Sequence, residues 1–430
     1  MKGLLTISVI LLLSSSCSCS RLEPWTGDYF DALVSGSFGD REAAITTFNP
    51  MDYGAVGNGQ TDDSLAFIKA WEHICAADGR LPTFYIPPGK TFLLGQVQFK
   101  GPCKASSVRV RLSGSLIAPH GISWGGNDGL EAWIRFENID NLIIDGEGKI
   151  DGQGQSWWTA CAIKKQNVGK SKCQKPTAFH IHGCNGLKLS GLTHLNSAKN
   201  HISLSGSNNV IISNIRIIAP EESPNTDGID ISTSSNVMIK NSFIGTGDDC
   251  IAINSGSSWI SITGVTCGPG HGISIGSLGE DGAYQTVEGV NVENCSFRGT
   301  DNGVRIKTWK GGRGYARKIS FKHINFMNTK NPIVINQFYF DKNSLDPQAD
   351  VKNYPEIKVS DVAFSDLHGT SANEVAISLN CNEGSGGCSN ILMDGVRITP
   401  AVPGMNLHAI CSNAHGKVTS ATPDVPCLSH

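Results

Sequence analysis

Asn225-Thr226-Asp227-Gly228-Ile229-Asp230-Ile231 is followed by Gly247-Asp248-Asp249-Cys250-Ile251-Ala252-Ile253, then Gly270-His271-Gly272-Ile273-Ser274-Ile275, then Val304-Arg305-Ile306-Lys307. Each segment sets polar, often ionisable groups against a short β-branched triplet. The triplets open at Ile229, Ile251, Ile273 and Val304, so the first three are 22 residues apart and the fourth follows after 31. A recurrence of this length marks a repeat architecture, in which equivalent positions of successive units stack. Asp227, Asp249 and His271 each lie two residues before their triplet, with Asp248 one further upstream. Arg305 and Lys307 lie just inside and after the fourth triplet. Equal offsets predict one strip of surface bearing three carboxylates, an imidazole, a guanidinium and an ammonium.

A second pattern, apolar–any–apolar, supports the same unit. It occurs at Leu187-Lys188-Leu189, Val210-Ile211-Ile212, Val237-Met238-Ile239, Ile260-Ser261-Ile262, Val290-Asn291-Val292, Ile319-Ser320-Phe321, Ile357-Lys358-Val359 and Ile391-Leu392-Met393. Alternation over so few residues reads as short strands, and these units hold no helical stretch. No leucine ladder is present, and the units are too short for four-stranded propeller blades. The expected fold is all-β: a single-stranded right-handed parallel β-helix, or solenoid, whose rungs stack at about 4.8 Å.

Upstream, Asp62 to Asp78 is expected to form one short helix capping the N-terminal end, with Leu65, Ile68, Trp71 and Cys75 as its apolar face. Asp62 and Asp63, a second acid pair, read as a helix cap rather than a catalytic dyad. Order is expected to begin at Phe48-Asn49-Pro50. Residues 48–430 read as one domain and residues 21–47 as a linker or pro-segment. Residues 1–20 read as a secretory signal peptide: Lys2, the apolar stretch Leu4 to Leu13, then small residues to Ser20.

Cysteine usage fits secretion. Of 14 cysteines, Cys17 and Cys19 lie in or beside the signal. Close spacing suggests Cys75–Cys103, Cys161–Cys173, Cys250–Cys267, Cys381–Cys388 and Cys411–Cys427, leaving Cys184 and Cys295 as buried thiols. The formal net charge of −3 gives no basis for a nucleic-acid or membrane partner. No zinc-type Cys pair or zincin motif occurs, so no metal is expected.

Crowded carboxylates raise one another's pKa, so one can serve as general acid while another stays a base. Two carboxyls flanking a cleavable bond are the equipment of glycoside hydrolysis, and adjoining cations suit an anionic sugar. Each Asp-Gly pair alone could be a turn, and an acidic cluster could hold calcium, but His, Arg and Lys are poor company for that cation.

These four motifs, in this order, resemble the polygalacturonases of family 28 of the glycoside hydrolases, plant members in particular. The resemblance runs from about residue 48 to near the C-terminus. It implies hydrolysis of α-1,4 bonds between galacturonic acid units of de-esterified pectin, with inversion and without metal or cofactor. By this resemblance Asp248 would be the general acid, Asp227 and Asp249 would activate water, and His271 would support the acid or the substrate. Arg305 and Lys307 would bind the galacturonate carboxylate, and Tyr339 would contact substrate. A secreted monomer of the cell wall or apoplast, met there by polygalacturonase-inhibiting proteins, is the implied setting. Endo cleavage is expected, with an exo enzyme, a pectate lyase or a noncatalytic wall-binding β-helix as alternatives. Rung spacing alone would set the carboxyls near the ~5–5.5 Å of retaining enzymes, so the inverting expectation rests on the resemblance.

Overall fold

The computed structural model describes residues 46–121, 131–168, 173–340 and 356–429. The expected signal peptide, and residues 21–47 up to Ile45, lie outside the described residues. From Ile45 onward the chain forms one compact unit.

Short strands with alternating side chains can bury only every second residue, so they need a neighbour above and below and a shared interior. The described chain meets this need as the right-handed parallel β-helix expected. One sheet holds 11 strands, from Val97–Lys100 to His408–Ser412; two further stacked series run together in a second sheet. Every pairing is parallel.

The site-bearing part of the first sheet is six successive strands. They are β1 (Ile202–Ser205), β2 (Ile229–Ser232), β3 (Ile251–Ile253), β4 (Ile273–Leu278), β5 (Asn302–Trp309) and β6 (Asn331–Tyr339). Their register places Ile229, Ile251, Ile273, Val304 and Ile333 side by side. Ile231, Ile253, Ile275, Ile306 and Ile335 form a second column two residues on. Both columns are fully buried, and the interior they fill is dry and branched. The middle residues Asp230, Ala252, Ser274 and Arg305 form the opposite, outward row. Corners between strands recur at left-handed residues, Asn214, Asn241 and Asn294 among them, because a short polar side chain tolerates positive φ.

Several expectations need correction. The capping helix α1 is Ser64–Ala76, but its buried face is Ala66, Phe67, Ala70, Trp71 and Ile74; Leu65 is 72% exposed. Phe67 and Trp71 pack on Phe84 and Phe99 of the first rungs, which turns the buried face away from Leu65 while keeping Trp71. Asp63 makes no side-chain cap; its carboxylate accepts from the backbone N–H of Val56 and Gly57, while Asp62 accepts from Ser64 N. A second helix, α2 (Gln155–Val168), interrupts the strands and lacks the clean apolar stripe that would have announced it. The repeat unit at Ile357-Lys358-Val359 is misplaced by five residues. The true partners of Ile319 and Phe321 are Val362 and Phe364, because the long strand Lys358–Ser371 starts early, pairing Lys358 and Val359 with Tyr315 and Ala316, and so repeats the apolar–any–apolar spelling.

All five expected disulfides are present, and Cys184 and Cys295 are free and buried.

Candidate active site

The polar residues before each triplet occupy turns, yet backbone bonding continues through them. His201 N donates to Asp227 O, Gly228 N to Asp249 O and Cys250 N to Gly272 O, each at 2.8 Å. The strand stacking therefore extends past the strand ends and holds Asp227, Asp249 and His271 in adjacent rungs. Side chains lock the turns further. Thr226, fully buried, accepts from Gly247 N at 3.0 Å, tying the Asn225–Gly228 turn to the next. The Cys250–Cys267 disulfide anchors the residue after Asp249 inside the solenoid. His271 is flanked by glycines for a steric reason. A Cβ on Gly270 would lie 2.6 Å from Asp248 O, and one on Gly272 2.2 Å from Asn302 O, both at positive φ.

Asp249 is the most enclosed of the acids, its side chain 2% exposed. Its Oδ1 accepts from Arg305 Nη2 at 2.6 Å and Ser274 Oγ at 2.9 Å, and its Oδ2 from Lys307 Nζ at 2.9 Å. Arg305 Nε also donates to Ser274 Oγ at 2.9 Å. Burial would push the Asp249 carboxyl up, but Lys307 and Arg305 overcome it and hold it down to about 2. The two cations expected to take substrate therefore have Asp249 as their first partner.

Asp248 is more open, its side chain 22% exposed, and its Oδ1 stands 3.0 Å from His271 Nδ1. That hydrogen bond raises the His271 pKa against the opposing effect of burial. On the other side of the ring, Nε2 lies 3.6 Å from Asp301, which itself pairs with Lys330 at 2.6 Å.

Asp227 is partly buried. Burial first, then the charges of Asp230, Asp248 and Asp249, push its carboxyl well above the ordinary range. Tyr339 stands with its ring 5.1 Å from Lys307 Nζ and edge-on to Trp309 at 5.4 Å, on the cationic side of the strip. The structure thus gathers Asp227, Asp248, Asp249, His271, Arg305 and Lys307, with Tyr339 at the margin.

Sequence reasoning missed three residues. Asp230 occupies the outward row beside Ala252; burial and then Asp249 push it up to about 7, and it accepts from Asn200 Nδ2 while its Oδ1 has no partner among the described residues. His201 is fully buried: Ser197 N donates to its Nε2 at 3.2 Å, and its Nδ1 lies 3.1 Å from Asp227 O. Burial lowers it to about 4, so it acts as a neutral strut for the Asp227 turn. Asn200 stands two residues before Ile202, the offset of Asp227 and Asp249, and that offset could have found it. Nothing local distinguishes His201 or Asp230.

Asp248, Asp249 and His271 present ligand atoms within 4.8 Å of one another, a grouping that could chelate a cation. The donor set does not suit one: both Asp249 oxygens already accept from cationic or hydroxyl donors, and an incoming ion would face Arg305 and Lys307. The arrangement suits acid–base chemistry instead, with one carboxyl firmly ionised and others retaining a proton near neutrality.

Comparison with known proteins agrees. The profile described as Glycosyl hydrolases family 28 matches residues 75–422. An Arabidopsis thaliana protein named "Probable polygalacturonase" is 48% identical over 389 residues, covering 89% of this chain and 82% of its own. A Persea americana polygalacturonase is 44% identical over 349 residues, 81% of this chain and 73% of its own. The solved polygalacturonase from Erwinia carotovora superposes with a TM-score of 0.67 at 25% identity, covering 90% of this chain and 100% of its own. The chain belongs to family 28 of the glycosyl hydrolases and is a glycoside hydrolase that acts on polygalacturonate.

Proposed function

We propose that the enzyme cuts polygalacturonate internally, by acid–base hydrolysis with inversion, as a secreted monomer of the plant cell wall that inhibitor proteins there would meet. The observation that carries internal cleavage is the outward face, which bears polar groups on both sides of the carboxylates. Ser203, His180 and Arg135 continue the row of Asp230 in one direction; in the other, Arg305 is followed by Val334, but Lys307 in the neighbouring column is followed by Asn336 and Asn380. A chain threaded along the row would meet hydrogen-bonding groups before and after the scissile bond. Five disulfides suit an extracellular setting.

In this reading Asp248 protonates the departing glycosidic oxygen. It is more exposed than Asp249, and His271 fixes its direction. Water on the opposite face is oriented and deprotonated by Asp249 and Asp227. Asp249 is held ionised by its two cations, and Asp227 is the stronger base for its raised pKa. The proton that Asp227 and Asp230 retain belongs to the coupled cluster rather than to one residue, and it must leave Asp227 before that carboxylate can take a proton from water. Arg305, through the donors it does not spend on Asp249 and Ser274, and Tyr339 would face the sugar on the far side.

The test is the early product profile on long polygalacturonate. Mixed oligomers from the first minutes are expected; mono- or digalacturonate alone would overturn internal cleavage. Proton NMR of the first products reads the stereochemistry: β anomers are expected from the α-linked substrate, and initial α anomers would overturn inversion.

A further inference from the structure

We propose that Lys175 and Lys199 form a second carboxylate-recognition subsite, for the galacturonate unit on the side of the scissile bond away from Arg305 and Lys307. Lys175 lies just before the strand Thr177–His182, and Lys199 on the turn before β1, so the two occupy successive rungs on the N-terminal side of Asp227. The Lys175 ammonium donates to the carbonyl of Pro224 and reaches Asn225 Oδ1 at 3.5 Å. Both acceptors are neutral, and both belong to the turn that carries Asp227. Neither lysine has a carboxylate within ion-pair distance among the described residues, whereas Arg305 and Lys307 each have Asp249.

An ammonium has three donors, and Lys175 spends at most two on that turn. Two adjacent, unpaired cations repel each other, and the more enclosed one has given up part of its hydration. Burial, then Lys199, lowers the Lys175 pKa to about 8, with Asp248 and Asp227 opposing. A bound anion relieves both costs at once. Asp227 and Asp248 cannot supply it, since neither comes within pairing distance and both are committed to the chemistry. The substrate can: every unit of polygalacturonate carries a carboxylate, so the unit on the Lys175 side brings one to the two ammoniums. Lys199 also favours the ionised form of Asp230, and it directly precedes Asn200, whose side-chain amide donates to Asp230.

The inference rests on polygalacturonate as substrate, and the test separates the two. Wild-type enzyme, Lys175→Gln, Lys199→Gln and Lys175→Arg are assayed on polygalacturonate and on highly methyl-esterified pectin of matched length. Each Gln variant is expected to raise KM on polygalacturonate roughly tenfold, as loss of a charge-assisted hydrogen bond does, with a smaller change in kcat. On the methyl ester the same variants are expected to differ little from wild type, so the preference for free carboxylates falls. Lys175→Arg is expected to restore that preference. Equal losses on both substrates, or no loss on polygalacturonate, would overturn the subsite. If Lys175→Gln does not fold, the exposed Lys199→Gln decides the question by the same readout. Failure of the wild type to cleave polygalacturonate would instead strike the substrate assignment itself.

Discussion

Two pairs of cations flank the same carboxylates and are held in opposite ways. Arg305 and Lys307 are enclosed, their side chains 14% and 9% exposed, and both are bonded to Asp249. Lys175 leans on a backbone carbonyl and a side-chain amide, and Lys199 is exposed. Charge is the same on the two sides; the counter-ion is what differs. A cation with an internal counter-ion tunes that partner, here keeping Asp249 ionised in a place where burial alone would protonate it. A cation without one is left to recognise a ligand. The cost of separating each pair from its carboxylate should therefore fall in different quantities: stability and kcat on one side, KM on the other.

The largest effect is expected at the carboxyl between the two pairs. Asp248→Asn should lower kcat by about 10³-fold or more, within the range of positioned acid catalysis and its loss. Turnover equal to wild type would show that the acid lies elsewhere. Next is Lys307→Met, which leaves Asp249 enclosed with one cation fewer. Breaking one side of such a pair costs about 3–5 kcal/mol, seen as a drop in Tm at neutral pH, with a fall in kcat because Asp249 no longer stays ionised. The sign in pH follows from the depressed pKa. The stability that Asp249 contributes is present above its unfolded value near 3.8 and is lost as pH falls toward about 2. The gap in Tm between wild type and variant should accordingly close in acid. A gap constant from pH 7 to pH 3 would mean Lys307 acts through packing.

Asp230→Asn probes the other kind of acid. The Asp230 carboxyl has a folded pKa near 7, above its unfolded value of 3.8, so its favourable contribution exists below the unfolded value and is lost as pH rises through about 7. The amide variant should gain Tm relative to wild type between pH 5 and pH 8, and the acidic limb of the pH–rate profile should move to lower pH, because the charge of Asp230 no longer raises Asp227. A Tm difference independent of pH would dismiss the buried-acid reading. The smallest effect belongs to the exposed ammonium. Added salt should raise KM for polygalacturonate in the wild type, and less so in Lys199→Gln, since exposed charges are screened over about 8–10 Å. Equal salt slopes would remove Lys199 from the comparison.

Much of this was legible in the chain. The offsets before Ile229, Ile251 and Ile273 gave the register of the site, because a rung must repeat its inward residues to keep the interior filled. That same constraint told nothing about outward residues, which face solvent or substrate and need not repeat. Asp230 and Ala252 share a position yet are chemically unrelated, so periodicity could not flag the acid between them. The helix α2 escaped notice because it answers to local packing outside the rung, and Ile357-Lys358-Val359 misled because one long strand, Lys358–Ser371, carries the apolar–any–apolar spelling more than once.

By itself, then, the sequence determined the solenoid, the register of its site and the residues that could share one strip, while its close cysteine spacings suggested five disulfides whose pairing the fold decided. Repetition and spacing are one-dimensional facts, and stacking converts them directly into neighbours. Only the tertiary structure decided which charge neutralises which: that Arg305 and Lys307 belong first to Asp249, that His271 takes Asp248, and that Lys175 reaches the Asp227 turn from 50 positions away along the chain. Pairing depends on side-chain direction, burial and angstrom-scale distance, and the strength of an ionic contact changes severalfold over such differences. No pattern of letters carries those distances.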